Sequence, residues 1–386
     1  MKSKLFPVLS LTVLNLTSCN TYSYNKPISK EKQSIKIPDK TDIAIKTIEN
    51  LAPYLLKSDE NTVISPSSYA LAIGALLSVS DNIEELKAKN GFTSSELEQT
   101  RDLLESLNWS INKGKNYIKS AVLLMQVGSQ YEFDSNKVKE VEKNHIAVAK
   151  EEASKATDYA QDFFKDNIGL EIKIPDVAID DSVMTFAAIK MLDKFEKKQS
   201  EDPNKFTVNG VTKTVDTYEF ENSELYYKGK NYTACNVTVR ETKNLIILPD
   251  VGVKIEDINL KEAYSEFMSK AEHKAVVGYL PYFKTSSTFD MTPIITNQVS
   301  GKEVFFSKLL SDSVVNDIAI QRCIQGSDYS FTPTGSKGES FTYFQGKATA
   351  APADDPIEFK VDRPFYSIST YDSFPLFVSK VVNPSL

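Results

Sequence analysis

Apolar residues near the start of the chain recur at helical spacing, and further on they settle into the alternation of strands. Over Asp42 to Leu56, Ile43, Ile45, Ile48, Leu51 and Leu55 form one apolar stripe, which predicts a helix. Asn61 to Ser68 reads as a short strand entering a helix, with Ser65 suited to the cap and Pro66 to the first turn. Tyr69 to Val79 is apolar nearly all round, so the spacing predicts a buried helix there. Glu84 to Leu107, Ser135 to Ala149 and Asp158 to Asn167 are further helices, the last ending near Gly169. Between them Lys119 to Val127 is a strand, and Met184 to Met191 is an apolar run of strand or buried-helix type.

The second half is richer in strands. Lys205 to Val215 predicts a hairpin turning at Asn209-Gly210, a pair suited to positive φ. Strands follow at Glu224 to Tyr227, Tyr232 to Arg240 and Asn244 to Leu248, then a helix over Leu260 to Lys274 and a strand over Ala275 to Lys284. Asp328 to Thr332, Ile357 to Val361, Pro364 to Thr370 and Leu376 to Val382 complete the set. Helices first and then many strands predict an α+β fold with large, mostly antiparallel sheets.

Gly335 to Pro364 fits neither pattern as a folded element. Its first half has a period of two: Ser336, Gly338, Ser340, Thr342, Phe344, Gly346 and Ala348 share one parity, and all but Phe344 are small. Lys337, Glu339 and Lys347 fall on the other parity with Phe341, Tyr343, Gln345 and Thr349. In an extended chain the two sets face opposite ways, so a small face could lie against packed neighbours with the charges in water. A polar surface loop is the other reading.

Composition narrows the function. A net charge of −7 gives no basic footprint for nucleic acid. With three cysteines and two histidines, a disulfide framework or a His/Cys metal site is not expected, and nothing calls for a cofactor. Cys235 and Cys323 read as buried small apolar residues. His145 and His273 sit in charged, helix-like contexts and do not read as members of a catalytic triad, so an enzyme is not expected. Asn108, Asn231 and Asn236 open glycosylation sequons, which matter only in a eukaryotic host.

The amino terminus has a basic start at Lys2 and Lys4 and an apolar run, Leu5 to Leu16, too short to span a bilayer. It ends in Leu16-Thr-Ser-Cys19, which resembles the lipobox of bacterial lipoproteins. The expected division is a signal peptide over 1–18, a lipidated flexible tether over 19–40 beginning at Cys19, and a folded domain over 41–386. An ordinary signal peptide with Cys19 incidental is the alternative. The expected location is secreted or at the cell surface, lipid-anchored to a bacterial membrane.

Several segments, in order, resemble the serpin family of serine protease inhibitors. Asn61 to Ser68 is similar to the family's N-x-x-x-S-P-x-S, and Lys173-Ile-Pro-Asp176 to its G-K-I-P-D. Leu280-Pro-Tyr-Phe-Lys284 resembles L-P-K-F-K. Phe359 to Phe365 with Phe374 to Pro384 resembles F-x-A-D-H-P-F followed by I-L-F-M-G-R-V-x-N-P. There are departures: the family's Asn-Ala is Ala187-Ala188 here, its following Trp is replaced by Phe195, and the only tryptophan is Trp109.

The resemblance implies the serpin fold, with about eight or nine helices and an exposed reactive-centre loop. It makes Gly335, Ser336, Gly338, Ser340 and Thr342 the hinge, with Glu339 and Phe341 as bulky intrusions on the outward parity. The scissile bond falls within Lys347, Ala348, Thr349, Ala350 and Ala351, and Ser65 and Ser68 match the polar residues beneath the sheet. The implied activity is suicide inhibition: a protease cleaves the loop, and the severed segment inserts into the central sheet and traps the acyl-enzyme. Small residues near the bond imply an elastase- or subtilisin-like target, and Lys347 keeps a trypsin-like one open. The molecule is expected to be monomeric. A non-inhibitory serpin-fold binding protein, or an inhibitor of cysteine proteases, is the alternative.

Overall fold

The computed structural model describes residues 41–56, 58–79, 111–113, 116–128, 133–142, 146–176, 182–194, 204–239, 242–291, 324–333, 335–336, 356–371 and 374–384. The expected helix over Glu84 to Leu107 lies outside them, as do Cys19, Trp109, His145, Phe195 and Cys323.

The apolar stripe forms helix α1 (Thr41–Leu55), with Ile43, Ile48, Leu51 and Leu55 buried. Strand β1 (Thr62–Ile64) leads into α2 (Pro66–Val79), whose Tyr69, Ala70, Leu71, Ile73 and Ala75 are all buried. Then come β2 (Ile111–Lys113), β3 (Asn116–Val127), α3 (Ser135–Glu142), β4 (Ile146–Glu151), α4 (Ala153–Ile168) and β5 (Ser182–Leu192). Gly169 closes α4 with φ 71°, and its N–H donates to the Lys165 carbonyl.

The expected helix over Ser135 to Ala149 is really two elements. Its second half is β4, paired parallel to β3 from Val122↔Ile146 to Val127↔Glu151. Ile146, Ala147, Val148 and Ala149 are all buried because both faces of this sheet are covered. One face joins the main core through Val122, Leu124 and Val148, while Ala121, Leu123, Met125 and Ala147 pack beneath Ala156, Ala160, Phe164 and Ile168 of α4. Without alternation, the run carries no period that separates strand from helix.

The hairpin is as the sequence predicts: β6 (Asn204–Val208) and β7 (Val211–Val215) turn through Asn209 at φ 50° and Gly210 at φ 79°. β8 (Thr217–Lys228), β9 (Tyr232–Thr238), β10 (Lys243–Pro249), α5 (Leu260–Lys270), β11 (Glu272–Pro281), β12 (Phe283–Asp290) and β13 (Ile324–Thr332) follow. The last strands are β14 (Gly335–Ser336), β15 (Ile357–Lys360), β16 (Phe365–Tyr371) and β17 (Phe374–Val381).

α5 stops at Lys270 rather than Lys274. Glu272, His273 and Lys274 open β11 instead, opposite Tyr226, Leu225 and Glu224 of β8. His273 is therefore an exposed strand residue, not a helical one. Charged residues at a helix end suit an exposed strand start equally well, and the pairing with β8 settles which forms.

The largest sheet runs β1-β17-β16-β10-β9-β8-β11-β15, antiparallel except where β15 joins β11 in parallel. Its inner face, with Phe220, Leu245, Ile247, Tyr366, Ile368, Leu376 and Val378, builds the main core. Cys235 is buried there, and burial pushes its thiol far above the ordinary range, which leaves it unreactive near neutrality. Asn236 is also buried, so its sequon is inaccessible in the fold, whereas Asn231 is exposed in a turn.

Glu224 is a buried carboxyl that accepts from the Thr238 N–H at 3.1 Å and the Thr238 hydroxyl at 2.8 Å. Burial outweighs these bonds and raises its pKa above the ordinary 4.5. The folded state then binds more protons than the unfolded one above that value, so stability falls as pH rises through the raised pKa. Equilibrium unfolding should show a loss of stability from pH 4.5 toward neutrality that Glu224→Gln removes.

Candidate functional site

The site grows from the first turn of α2. Ser65 caps the helix, its Oγ accepting from the Ser68 N–H at 3.2 Å while donating to the Leu376 carbonyl at 2.8 Å. Ser67 Oγ donates to the Pro375 carbonyl at 2.8 Å. Ser68 Oγ donates to the Ala187 carbonyl of β5 at 2.9 Å. Both Ser65 and Ser68, singled out from the sequence, are thus brought to one place. The Asn absent at Ala187 removes a side-chain partner, yet the backbone carbonyl there still accepts a bond.

Sequence reasoning missed Gln325. Its side-chain amide closes on both backbone polar groups of Ser65, with the Ser65 N–H donating to Oε1 at 2.8 Å and Nε2 donating to the Ser65 carbonyl at 2.9 Å. Alternation along β13 was the available signal: Gln325, Ser327, Tyr329 and Phe331 are buried while Gly326 and Asp328 are exposed. One helical turn therefore holds β5 through Ser68, β13 through Gln325 and β17 through Ser65 and Ser67.

A second knot lies beside it. Asn61 Nδ2 donates to the Lys284 and Asn383 carbonyls at 3.2 and 2.8 Å, and its Oδ1 accepts from the Val382 and Asn383 N–H groups at 2.8 and 2.9 Å. All four hydrogen-bonding positions of the amide are used. Between the sheets, Thr285 Oγ1 meets Ser379 Oγ at 3.0 Å, and Tyr329 donates to Asn244 Oδ1 at 2.6 Å.

Above these anchors β5 and β13 belong to separate sheets. β5 pairs with β3 from Tyr117↔Leu192 to Val127↔Ser182, and β13 pairs with β12 from Phe283↔Phe331 to Asp290↔Ile324. Among the described residues no ladder joins β5 to β13. Residues 183–187 of β5 are half-buried. The short strand β14 lies alongside β5 and pairs antiparallel with the end of β13, Ser336 opposite Phe331 and Gly335 opposite Thr332.

The strap after α4 crosses this region. Gln161 holds it by donating to the Ile172 carbonyl at 3.2 Å and accepting from the Ile174 N–H at 2.8 Å. Lys190 of β5 donates to the Gly169 carbonyl, and Ile172 reaches the outer face of β13 at Gly326. Of the expected hinge, Gly335 and Ser336 are thus placed at the mouth between β5 and β13. Gly338, Ser340 and Thr342, together with Lys347, Ala348, Thr349, Ala350 and Ala351, lie outside the described residues. Among the described residues no group of three His, Cys, Asp or Glu side chains could hold a metal, and no helix is long and apolar enough to cross a membrane.

Replacing Gln325 with Leu leaves the buried Ser65 N–H without its acceptor, a cost of about 1–3 kcal/mol. Ser68→Ala removes a single bond and should cost about 0.5–1.5 kcal/mol. Guanidinium unfolding of the intact protein should rank the two variants in that order.

Residues 40–384 match the family model described as "Serpin (serine protease inhibitor)". Over 148 residues the chain is 28% identical to the alpha-1-antitrypsin-like protein GS55-MS of Ictidomys tridecemlineatus, which covers 37% of this chain and 35% of that protein. The match thus spans about a third of that relative's length. Among solved structures, the thermophilic serpin tengpin in its native state aligns with TM-score 0.72 at 18% identity, covering 95% of this chain and 99% of that one. Thyroxine-binding globulin in complex with thyroxine aligns with TM-score 0.71 at 16% identity, covering 90% and 99%. At such identities the structural likeness speaks to the fold, and the family match accounts for nearly the whole chain. The chain belongs to the serpin family, and its α+β architecture is the serpin fold.

Proposed function

We propose that the protein is a suicide-type inhibitor of serine proteases. Members of the family generally act as inhibitors rather than as catalysts. The target's serine Oγ attacks the scissile carbonyl within Lys347 to Ala351, the peptide bond breaks, and the leaving amine takes up the proton. An ester then links the loop to the protease. The freed segment enters between β5 and β13 as a new strand and carries the protease with it before water can hydrolyse the ester.

The observation that carries this reading is the start of that strand in β14, already paired with β13 and lying alongside β5. Each further ladder bond contributes about 0.5–1.5 kcal/mol net, so a dozen residues stabilise the inserted form by on the order of 10 kcal/mol. A charge carried inward would cost several kcal/mol. Ser336 already stands opposite the buried Phe331, so small size and neutrality there favour entry of the residues that follow it.

A second reading, a serpin-fold binding protein without inhibitory activity, draws on the bulk of Phe341, Tyr343 and Phe344 and on the likeness to thyroxine-binding globulin. The two are separated by incubation with elastase-, trypsin- and subtilisin-like enzymes, with the cut mapped by mass. An inhibitor gives an SDS-stable complex; a binding module is cleaved or ignored. Ser336→Arg should abolish the complex while cleavage in the loop continues, and undiminished inhibition by that variant would count against insertion.

We place the protein at a bacterial surface through a diacylglycerol on Cys19, with residues 20–40 as the tether. Expressed in a bacterial host, it should partition into the detergent phase, and Cys19→Ser should move it to the aqueous phase.

A further inference from the structure

The hairpin of β6 and β7 is a two-stranded sheet of its own, joined to no third strand among the described residues. An isolated hairpin is marginally stable at best in water, so its anchoring decides its order. The anchors lie at its root. Phe206 is fully buried, its ring meeting that of Phe365 edge-on at 6.4 Å between centroids. Asn204 Nδ2 donates to the Val361 carbonyl at 3.3 Å, and the Thr207 N–H to the Asp362 carbonyl at 2.8 Å. On the other strand Lys213 Nζ donates to the Pro384 carbonyl at 2.7 Å. β6 thereby clasps the backbone that leads from β15 into β16.

The tip is differently placed. Thr207 and Thr212 join through their hydroxyls at 2.9 Å, and beyond them the chain stands in solvent. Asn209 and Gly210 are exposed, Val211 is 70% exposed, and a Cβ on Gly210 would meet nothing within 4 Å. The turn needs positive φ at both central residues, which Asn209 and Gly210 supply. The same pair is chemically labile. Because Gly210 has no side chain, its backbone nitrogen can approach the Asn209 side-chain carbonyl carbon without obstruction.

We propose that Asn209 is a site of spontaneous deamidation, with water as the co-reactant, and that its conversion loosens the clasp of β6 on residues 361–362. The Gly210 nitrogen gives up its proton and bonds to Asn209 Cγ. The Cγ–Nδ2 bond breaks, and ammonia leaves carrying that proton. Water then opens the resulting five-membered imide at one carbonyl or the other, restoring the Gly210 N–H and leaving aspartate or isoaspartate. No oxidation or reduction is involved.

The attack requires Asn209 to leave its turn conformation briefly, which a hairpin held at its root permits at the tip. Isoaspartate adds a methylene to the backbone, so a two-residue turn no longer joins Val208 to Val211 in register. The misfit passes to Thr207, the neighbour of Val208, whose N–H holds Asp362. This chemistry does not depend on the inhibitory reading.

The test ages full-length protein in warm, mildly alkaline buffer and follows the tryptic peptide Phe206 to Lys213 by mass and isoaspartate content. The Asn90-Gly91 pair falls on a different tryptic peptide. The synthetic peptide Phe206 to Lys213 in the same buffer sets the unhindered rate. Conversion in the folded protein should be slower than that by less than about a hundredfold, because a fraying tip opens at little cost. Greater slowing would overturn the site. In hydrogen exchange, the Thr207 N–H of converted protein should exchange at least about threefold faster than in fresh protein. Asn209→Gly keeps a pair suited to the turn and should age without that change. A smaller rise in the converted wild type, or the same rise in aged Asn209→Gly, would overturn the loosened clasp.

Discussion

Two strands that no ladder joins among the described residues, β5 and β13, set the terms for the rest of this molecule. Backbone N–H and C=O groups on a strand edge want partners, and leaving an edge open forgoes one net-favourable bond at every other residue. Among the described residues β5 and β13 present such edges, with β14 paired to the end of β13. An arrangement of this kind persists only where other contacts fix both strands independently of each other.

Those contacts converge on one turn of helix. Ser68 reaches the Ala187 carbonyl, Gln325 closes on Ser65, and Ser65 and Ser67 hold the β17 backbone. The bonds are individually modest, but they are buried, and removing one partner leaves a polar group in an apolar interior. β5 and β13 are thus fixed through different residues of one turn, Ser68 for the first and Ser65 for the second. The strap held by Gln161 and Lys190 reaches the outer face of β13 through Ile172.

Much of this was legible beforehand. The helical stripe of α1, the cap at Ser65, the turn at Asn209-Gly210 and the apolar α2 all follow from local rules, and each stands where those rules put it. The misses share one cause. Ile146 to Ala149 and Glu272 to Lys274 have no local preference strong enough to resist pairing, with β3 in one case and β8 in the other. Gln325 escaped notice because a lone glutamine in a strand looks like any surface residue until its partner 260 positions away is known.

The sequence by itself determined the fold class, the family and the two-residue period of the loop, since these depend on local spacing and on ordered motifs. Whether that period means anything was beyond its reach. Parity names two faces but not which is inward. Only the tertiary structure, by setting Ser336 against Phe331, supplied the register, because register is a relation between strands and no property of either one alone.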